Sequence, residues 1–112
     1  MRLLGVAALV AAACSSGTGT LALSWHFVDG RACADTGAST VEVRVGERAP
    51  ESFACIAGAA PAAIAVERVP RDGAELALSA RSPMGASLYA GALSLDALPA
   101  AATVELYADK MR

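Results

Sequence analysis

The stretch "TLALSWHF", residues 20–27, alternates large apolar side chains with small or polar ones. Because successive side chains of a β-strand point to opposite faces, this period of two predicts a strand with one buried face. The face expected to be buried carries Leu21, Leu23, Trp25 and Phe27. His26 falls on the opposite face, where we expect a solvated imidazole rather than a catalytic base or a metal ligand.

The same alternation recurs along most of the chain, in segments that turn signals separate. Strands are predicted in "TVEVRVG" (40–46), "AIAVERV" (63–69), "AELALSA" (74–80), "SLYAGALSL" (87–95) and "ATVELYA" (102–108). Turns are predicted at "DG" (29–30), "PRDG" (70–73) and "SPMG" (82–85), because glycine, proline and aspartate favour turn geometry. Six or seven short strands at this spacing predict an all-β fold, an antiparallel β-sandwich.

Some short segments allow helical structure. "AGAAPAA" (57–63) fits a loop or a short helical turn, and "DALPAAATVEL" (96–106) fits a helix by propensity alone. The alternation of Val104 and Leu106 favours a strand for the latter. In "ACADTG" (32–37) we expect one helical turn that ends at Gly37, since glycine readily adopts the left-handed conformation found there.

The first residues have the layout of an export signal. In residues 1–13, Arg2 is followed by an apolar run and then by small residues just before Cys14. That run is too short to span a bilayer, which takes about 20 apolar residues. We therefore expect a signal peptide over 1–13, a lipidated cysteine and flexible tether over 14–20, and a β-sandwich domain over 21–112.

Two forms of processing fit this signal, and both cleave between Ala13 and Cys14. "AAA" (11–13) suits an ordinary signal peptidase, whereas "VAAAC" (10–14) resembles the lipobox of bacterial lipoproteins. The latter implies that Cys14 carries a lipid, such as palmitate, that anchors the chain to a membrane. The polar "SSGTGT" (15–20) would then be a tether between the lipid and the domain, and the alternative is a plain disordered tail.

The expected core is thin, and a disulfide is expected to support it. Hydrophobic residues make up 55% of the chain, but 28 of them are alanine, which buries little apolar surface. Once Cys14 is assigned to a lipid, Cys33 and Cys55 remain, in a compartment that permits disulfides. A bond between them would stabilise a small domain by about 3 kcal/mol.

Several functional classes are disfavoured. The formal net charge is −2 and the arginines are scattered, whereas nucleic-acid binding needs clustered positive charge. One histidine and no closely spaced cysteine pair argue against a zinc site, and we expect no metal and no cofactor. A small-molecule carrier is a weaker option, because few large apolar residues remain to line a cavity.

One triplet, Asp35-Thr36-Gly37, raises an enzymatic alternative. Single-lobe aspartic proteases carry this triplet and dimerise, so that two carboxylates share a proton. In those enzymes the triplet follows a strongly apolar strand, whereas here it follows the polar and small "RACA" (31–34). We therefore expect no enzymatic activity, and a protease that uses Asp35 is the alternative.

A wider pattern resembles small uncharacterised bacterial lipoproteins. Its residues are Trp25, Phe27, Gly30, Cys33, Gly37, Val41, Val43, Phe53 and Cys55. The resemblance implies an immunoglobulin-like or transthyretin-like sandwich with a Cys33–Cys55 disulfide behind a lipid anchor, and it implies no activity. Ser15 and Ser16 after the anchor imply sorting to the outer membrane. We thus expect an exported cell-envelope lipoprotein with a binding or structural role, whose partners are the membrane and an envelope protein.

Overall fold

A computed structural model describes residues 17–109. The signal peptide expected over 1–13 and the lipidation expected at Cys14 lie outside these residues. Seven strands and two single helical turns follow one another along the chain. They are β1 (Thr18–Phe27), α1 (Cys33–Thr36), β2 (Thr40–Val45), β3 (Glu51–Ala54), α2 (Cys55–Gly58), β4 (Ile64–Pro70), β5 (Ala74–Arg81), β6 (Ser87–Leu95) and β7 (Ala101–Ala108).

The strands form one seven-stranded sheet in the order β3-β2-β5-β6-β7-β1-β4. The predicted β-rich fold is therefore confirmed. The sheet is mixed, because β1 and β7 run parallel while every other neighbouring pair is antiparallel. β6 pairs with β7 only at Tyr89–Ala108 and Ala90–Tyr107, so the sheet curls at this junction. On either side of it lie the strand groups β3-β2-β5-β6 and β4-β1-β7.

One apolar core joins the two strand groups. The four β1 residues expected to be buried are at most 3% exposed, which confirms the alternation read from the sequence. They cluster with buried residues from both groups, namely Val41, Val43, Val45, Val66, Val69, Leu76, Leu78, Ala80, Tyr89, Val104 and Leu106. Gly91 lies where β6 approaches β7, and a Cβ atom there would fall 2.2 Å from the carbonyl oxygen of Glu105. A side chain at position 91 would keep the strands apart.

The structure differs from the sequence expectations in four places. The sheet expected to be antiparallel contains one parallel pair, β1 with β7. β1 begins at Thr18, so the last three residues of the expected tether belong to the sheet, where Thr18 pairs with Pro70. β3 was not predicted, because "ESFA" has a single large apolar residue. The helix considered over 96–106 does not form, since residues 101–106 pair along β1 as part of β7.

The described part of the chain has two distinct ends. The proximal end holds the start of β1 and the connections 46–50, 71–73 and 96–100. The distal end holds the segment 28–31 after β1, the α1 and α2 turns, the β5–β6 connection 82–86 and the end of β7. β1 and β7 point from the proximal to the distal end.

Candidate binding surface at the distal end

A disulfide joins the two helical turns at the distal end. Cys33 in α1 and Cys55 in α2 are bonded, with a Cα–Cα distance of 6.0 Å, and they are 5% and 2% exposed. The predicted Cys33–Cys55 pairing is thereby confirmed. α1 precedes β2 and α2 follows β3, so the disulfide links the segment that enters the β2–β3 hairpin to the segment that leaves it.

Trp25 packs against α2 and holds it in position. Its side chain is fully buried, and its indole Nε1–H donates a 2.9 Å hydrogen bond to the carbonyl oxygen of Cys55. The Ala60 N–H in turn donates to the Trp25 carbonyl at 2.9 Å. At Gly58 a Cβ atom would fall 2.5 Å from the indole Cη2, so only glycine allows α2 to pack this closely.

The Asp-Thr-Gly triplet forms the end of α1. The Thr36 hydroxyl donates to the Cys33 carbonyl at 2.8 Å and accepts the Ala38 N–H at 3.1 Å. Gly37 has the left-handed backbone angle φ 83°, which confirms the predicted helical turn closed by this glycine. The Asp35 side chain is exposed. Threonine and glycine of the triplet thus serve the local fold.

His26 lies on the outer face of β1, opposite Glu105 of β7, and is exposed as expected.

Residues 17–109 contain no group of three or more His, Cys, Asp or Glu side chains that could hold a metal ion. Over the same range, no helix has the length and apolar character needed to cross a membrane.

A polar contact that the sequence did not reveal fixes the segment after β1. The Tyr89 hydroxyl donates a 2.6 Å hydrogen bond to Asp29, 60 residues away, and the Tyr89 ring packs edge-on against Phe27 at 4.7 Å. The bond lowers the pKa of Asp29 below its ordinary 3.8, and it raises the pKa of Tyr89 above its ordinary 10.0 because it stabilises the neutral phenol beside a carboxylate. Arg31 adds a long ion pair with Asp29 at 3.9 Å. Neither sequence separation nor periodicity pointed to this contact.

A groove of about 270 Å³ opens between the end of β1 and the two helical turns. Its apolar lining includes Ala34, Ile56 and Ala59, while His26 and Arg31 are its polar members. The Ile56 side chain is 74% exposed at the groove. Such a lining suits an apolar side chain of a partner better than a charged ligand.

The four exposed large apolar side chains of residues 17–109 all lie at the distal end. They are Val28, Ile56, Met84 and Tyr107. Met84, the most exposed at 92%, is held by an ordered connection, because the Ser82 hydroxyl accepts the N–H groups of Met84 and Ala86. Exposed apolar side chains concentrated at one end are typical of a surface that binds another molecule.

The two edges of the sheet differ in how well they are covered. At the β4 edge, the Arg48 guanidinium donates to the carbonyl oxygens of Glu67 and Arg68, and Arg68 has the unusual backbone angle φ 57°. β4 also ends at Pro70, which cannot donate a backbone hydrogen bond. β3 is the other edge, and its last residue leads directly into the disulfide at Cys55.

A second concavity, of about 360 Å³, lies on the outer face of β2 and β5. An ion pair between Arg81 and Glu42, with Nε and Oε1 3.3 Å apart, occupies part of its wall. The Arg81 guanidinium also donates to the Gly85 carbonyl at 2.8 Å, so this arginine serves the β5–β6 connection. The distal end therefore remains the stronger candidate.

No protein-family model, no curated protein and no solved structure matches this chain.

Proposed function

We propose that this chain is a cell-envelope lipoprotein whose β-domain binds another envelope protein through its distal end. One observation carries the proposal: the exposed large apolar side chains lie at the end of the domain opposite to the start of β1. A domain with a purely structural role has no need to concentrate exposed apolar groups at one end.

The position of the expected anchor supports this orientation. Cys14 precedes the first strand residue, Thr18, by four positions, which a fully extended chain spans in about 14 Å. Acylation of Cys14 would therefore hold the proximal end beside the lipid surface. β1 has ten residues and is roughly 33 Å long, so it would carry the distal end away from the membrane.

For the finer fold we propose a transthyretin-like rather than an immunoglobulin-like sandwich. The immunoglobulin order places the first, second, fifth and fourth strands in one sheet. Here the first strand lies between the fourth and the seventh, and the second lies between the third and the fifth. That order supports the transthyretin-like alternative of the two.

We propose binding rather than catalysis. The exposed Asp35 lies on a turn that the disulfide fastens to α2, and its neighbours Thr36 and Gly37 maintain that turn. The protease alternative predicts acid-dependent peptide cleavage that Asp35→Asn abolishes. Our proposal predicts no cleavage by either form of the full chain.

Site-specific photo-crosslinking in the native host tests the binding surface. A photoreactive amino acid replaces Ile56 at the distal end, and the matched control replaces Asp72, an exposed residue at the proximal end. We expect a discrete crosslinked product from position 56 and none from position 72. Equal crosslinking from both positions, or none from position 56 in correctly localised protein, would contradict the proposal.

Mass spectrometry of the unreduced protein from host membranes tests the anchor separately. We expect an acylated N-terminal peptide that begins at Cys14, and we expect Cys14→Ser to release the protein from the membrane fraction. An unmodified N-terminal peptide would remove the anchor from the proposal and leave the distal surface to be judged by crosslinking.

A further inference from the structure

The β4 edge is protected at its end by contacts that the β3 edge does not have. At β4, Arg48 occupies two carbonyl oxygens and Pro70 ends the strand, so an incoming strand would find these acceptors taken. Proline and irregular backbone, such as Pro70 and Arg68 of β4, are among the usual protections of an edge against strand pairing. β3 lacks a comparable cover among residues 17–109.

The hydrogen-bond pattern shows which groups of β3 face outward. The Gly46 N–H donates to Glu75 of the β5 side at 2.8 Å, and the Cys55 N–H donates to Ser39 at 3.0 Å. Because bonding direction alternates along an antiparallel strand, the odd-numbered residues of β2 bond to β3. Val41 pairs with Phe53 and Val43 with Glu51, so both of these β3 residues bond inward. Their neighbours Ser52 and Ala54 direct N–H and C=O toward the free edge.

We propose that the β3 edge receives an extended antiparallel segment of the envelope partner, with an apolar residue followed two positions later by Lys or Arg. Phe53 is half-buried and packs against the core, so an apolar residue opposite it would cover its remaining surface. Glu51 lies on the same face of β3 and is exposed, so its carboxylate matches a basic residue opposite it. In an antiparallel segment the residue facing Phe53 comes first.

This inference rests on the proposed binding function and adds the mode of binding and the chemistry of the partner. Strand addition supplies affinity through main-chain hydrogen bonds, and alternate side chains supply specificity. β3 has only four residues and leads into α2, where Ile56 is exposed. The segment would therefore form one part of an interface that continues onto the distal end.

The test uses the full chain in detergent micelles, with its disulfide intact, observed by NMR. The probe is the peptide acetyl-Thr-Val-Thr-Lys-Thr-amide, in which Val would face Phe53 and Lys would face Glu51. The matched peptide carries Glu in place of Lys. Two protein variants accompany the wild type: Ser52→Pro removes an outward N–H without removing a bond to β2, and Ser52→Ala keeps that N–H.

We expect saturable shift changes over Glu51–Cys55, slower amide exchange at Ser52 and Ala54, and about fivefold weaker binding of the Glu peptide. Ser52→Ala should bind like the wild type, and Ser52→Pro should fold but not bind. Four results would overturn the inference. They are shift changes at β4, equal affinity for the two peptides, no shift changes at millimolar peptide, and β3 shift changes when the protein is concentrated without peptide. Distal crosslinks in cells that persist after such a failure would leave the proposed function standing without strand addition.

Discussion

Replacing Gly58 by alanine tests whether Trp25 and the disulfide hold α2 as one rigid unit. The added Cβ would lie 2.5 to 2.7 Å from three carbon atoms of the indole, well inside van der Waals contact. The indole has little freedom to move, because it is fully buried and its N–H is bonded to Cys55. α2 is held equally firmly, because Cys55 is bonded to Cys33.

Two opposing effects set the expected magnitude. Overpacking a well-packed core costs about 1–3 kcal/mol. Gly58 does not have a positive φ, so alanine also gains about 0.4–1 kcal/mol by restricting the unfolded chain. Gly58→Ala should therefore lower the free energy of unfolding by about 1–2 kcal/mol, which corresponds to a Tm lower by about 5–15 °C for a domain of this size.

The assay is urea and thermal unfolding followed by the fluorescence of Trp25, the one tryptophan in the chain. The control is Gly58→Ala combined with Cys33→Ala and Cys55→Ala, compared with the double cysteine variant alone. Without the disulfide, α2 is free to shift away from the indole, so the cost of the alanine should fall. An unchanged or higher Tm for Gly58→Ala, or an equal cost in both backgrounds, would refute the rigid packing described for this site.

Three further predictions concern other contacts. The double variant Cys33→Ala, Cys55→Ala should lose about 3 kcal/mol of stability in urea unfolding, the loop-closure value for a 22-residue separation, and a loss below about 1 kcal/mol would contradict it. In Tyr89→Phe, NMR titration should show the pKa of Asp29 rising toward 3.8, and an unmoved titration would contradict the hydrogen bond. The stability that Tyr89→Phe loses should be constant between pH 3.8 and pH 10.0, the ordinary pKa values of Asp29 and Tyr89. This loss should shrink as the pH falls from 3.8 toward the lowered pKa of Asp29, and also as the pH rises from 10.0 toward the raised pKa of Tyr89. Arg48→Ala should cost about 1 kcal/mol and speed amide exchange in β4, and unchanged exchange there would show that the guanidinium does not protect this edge.

The strands that bury one face follow directly from the sequence, and the exceptions have physical causes. In β1, β2 and β5 large apolar residues alternate, and each forms a strand close to its predicted range. β3 has Phe53 as its one large apolar residue, and it is a strand because β2 lies beside it. Alternation identifies a buried face but not a neighbour, which is why the parallel pairing of β1 with β7 was not predicted.

The sequence predicted the disulfide and the Gly37 turn of the candidate site, but not its other contacts. The disulfide follows from counting cysteines once Cys14 is set aside, and Gly37 follows from the conformational freedom of glycine. The Asp29–Tyr89 bond joins residues 60 positions apart, and neither residue stands out locally. The exposure of Ile56 and Met84 at one end depends on the direction of each strand in the sheet, which hydrophobic periodicity does not reveal.

The pairing of β1 with β7 has a consequence for the chain while it is being synthesised on the ribosome. Ser24 of β1 meets Thr103 of β7 across 79 residues of chain, and their hydroxyls lie 2.8 Å apart. At about 5–20 residues per second, roughly 4–16 seconds of synthesis separate these two strands. During that interval β1 lacks its neighbour β7, and until residues 64–70 are synthesised it lacks β4 as well. A nascent chain in this state leaves the apolar face of β1 incompletely covered, and such exposed apolar surface favours aggregation until β7 is synthesised.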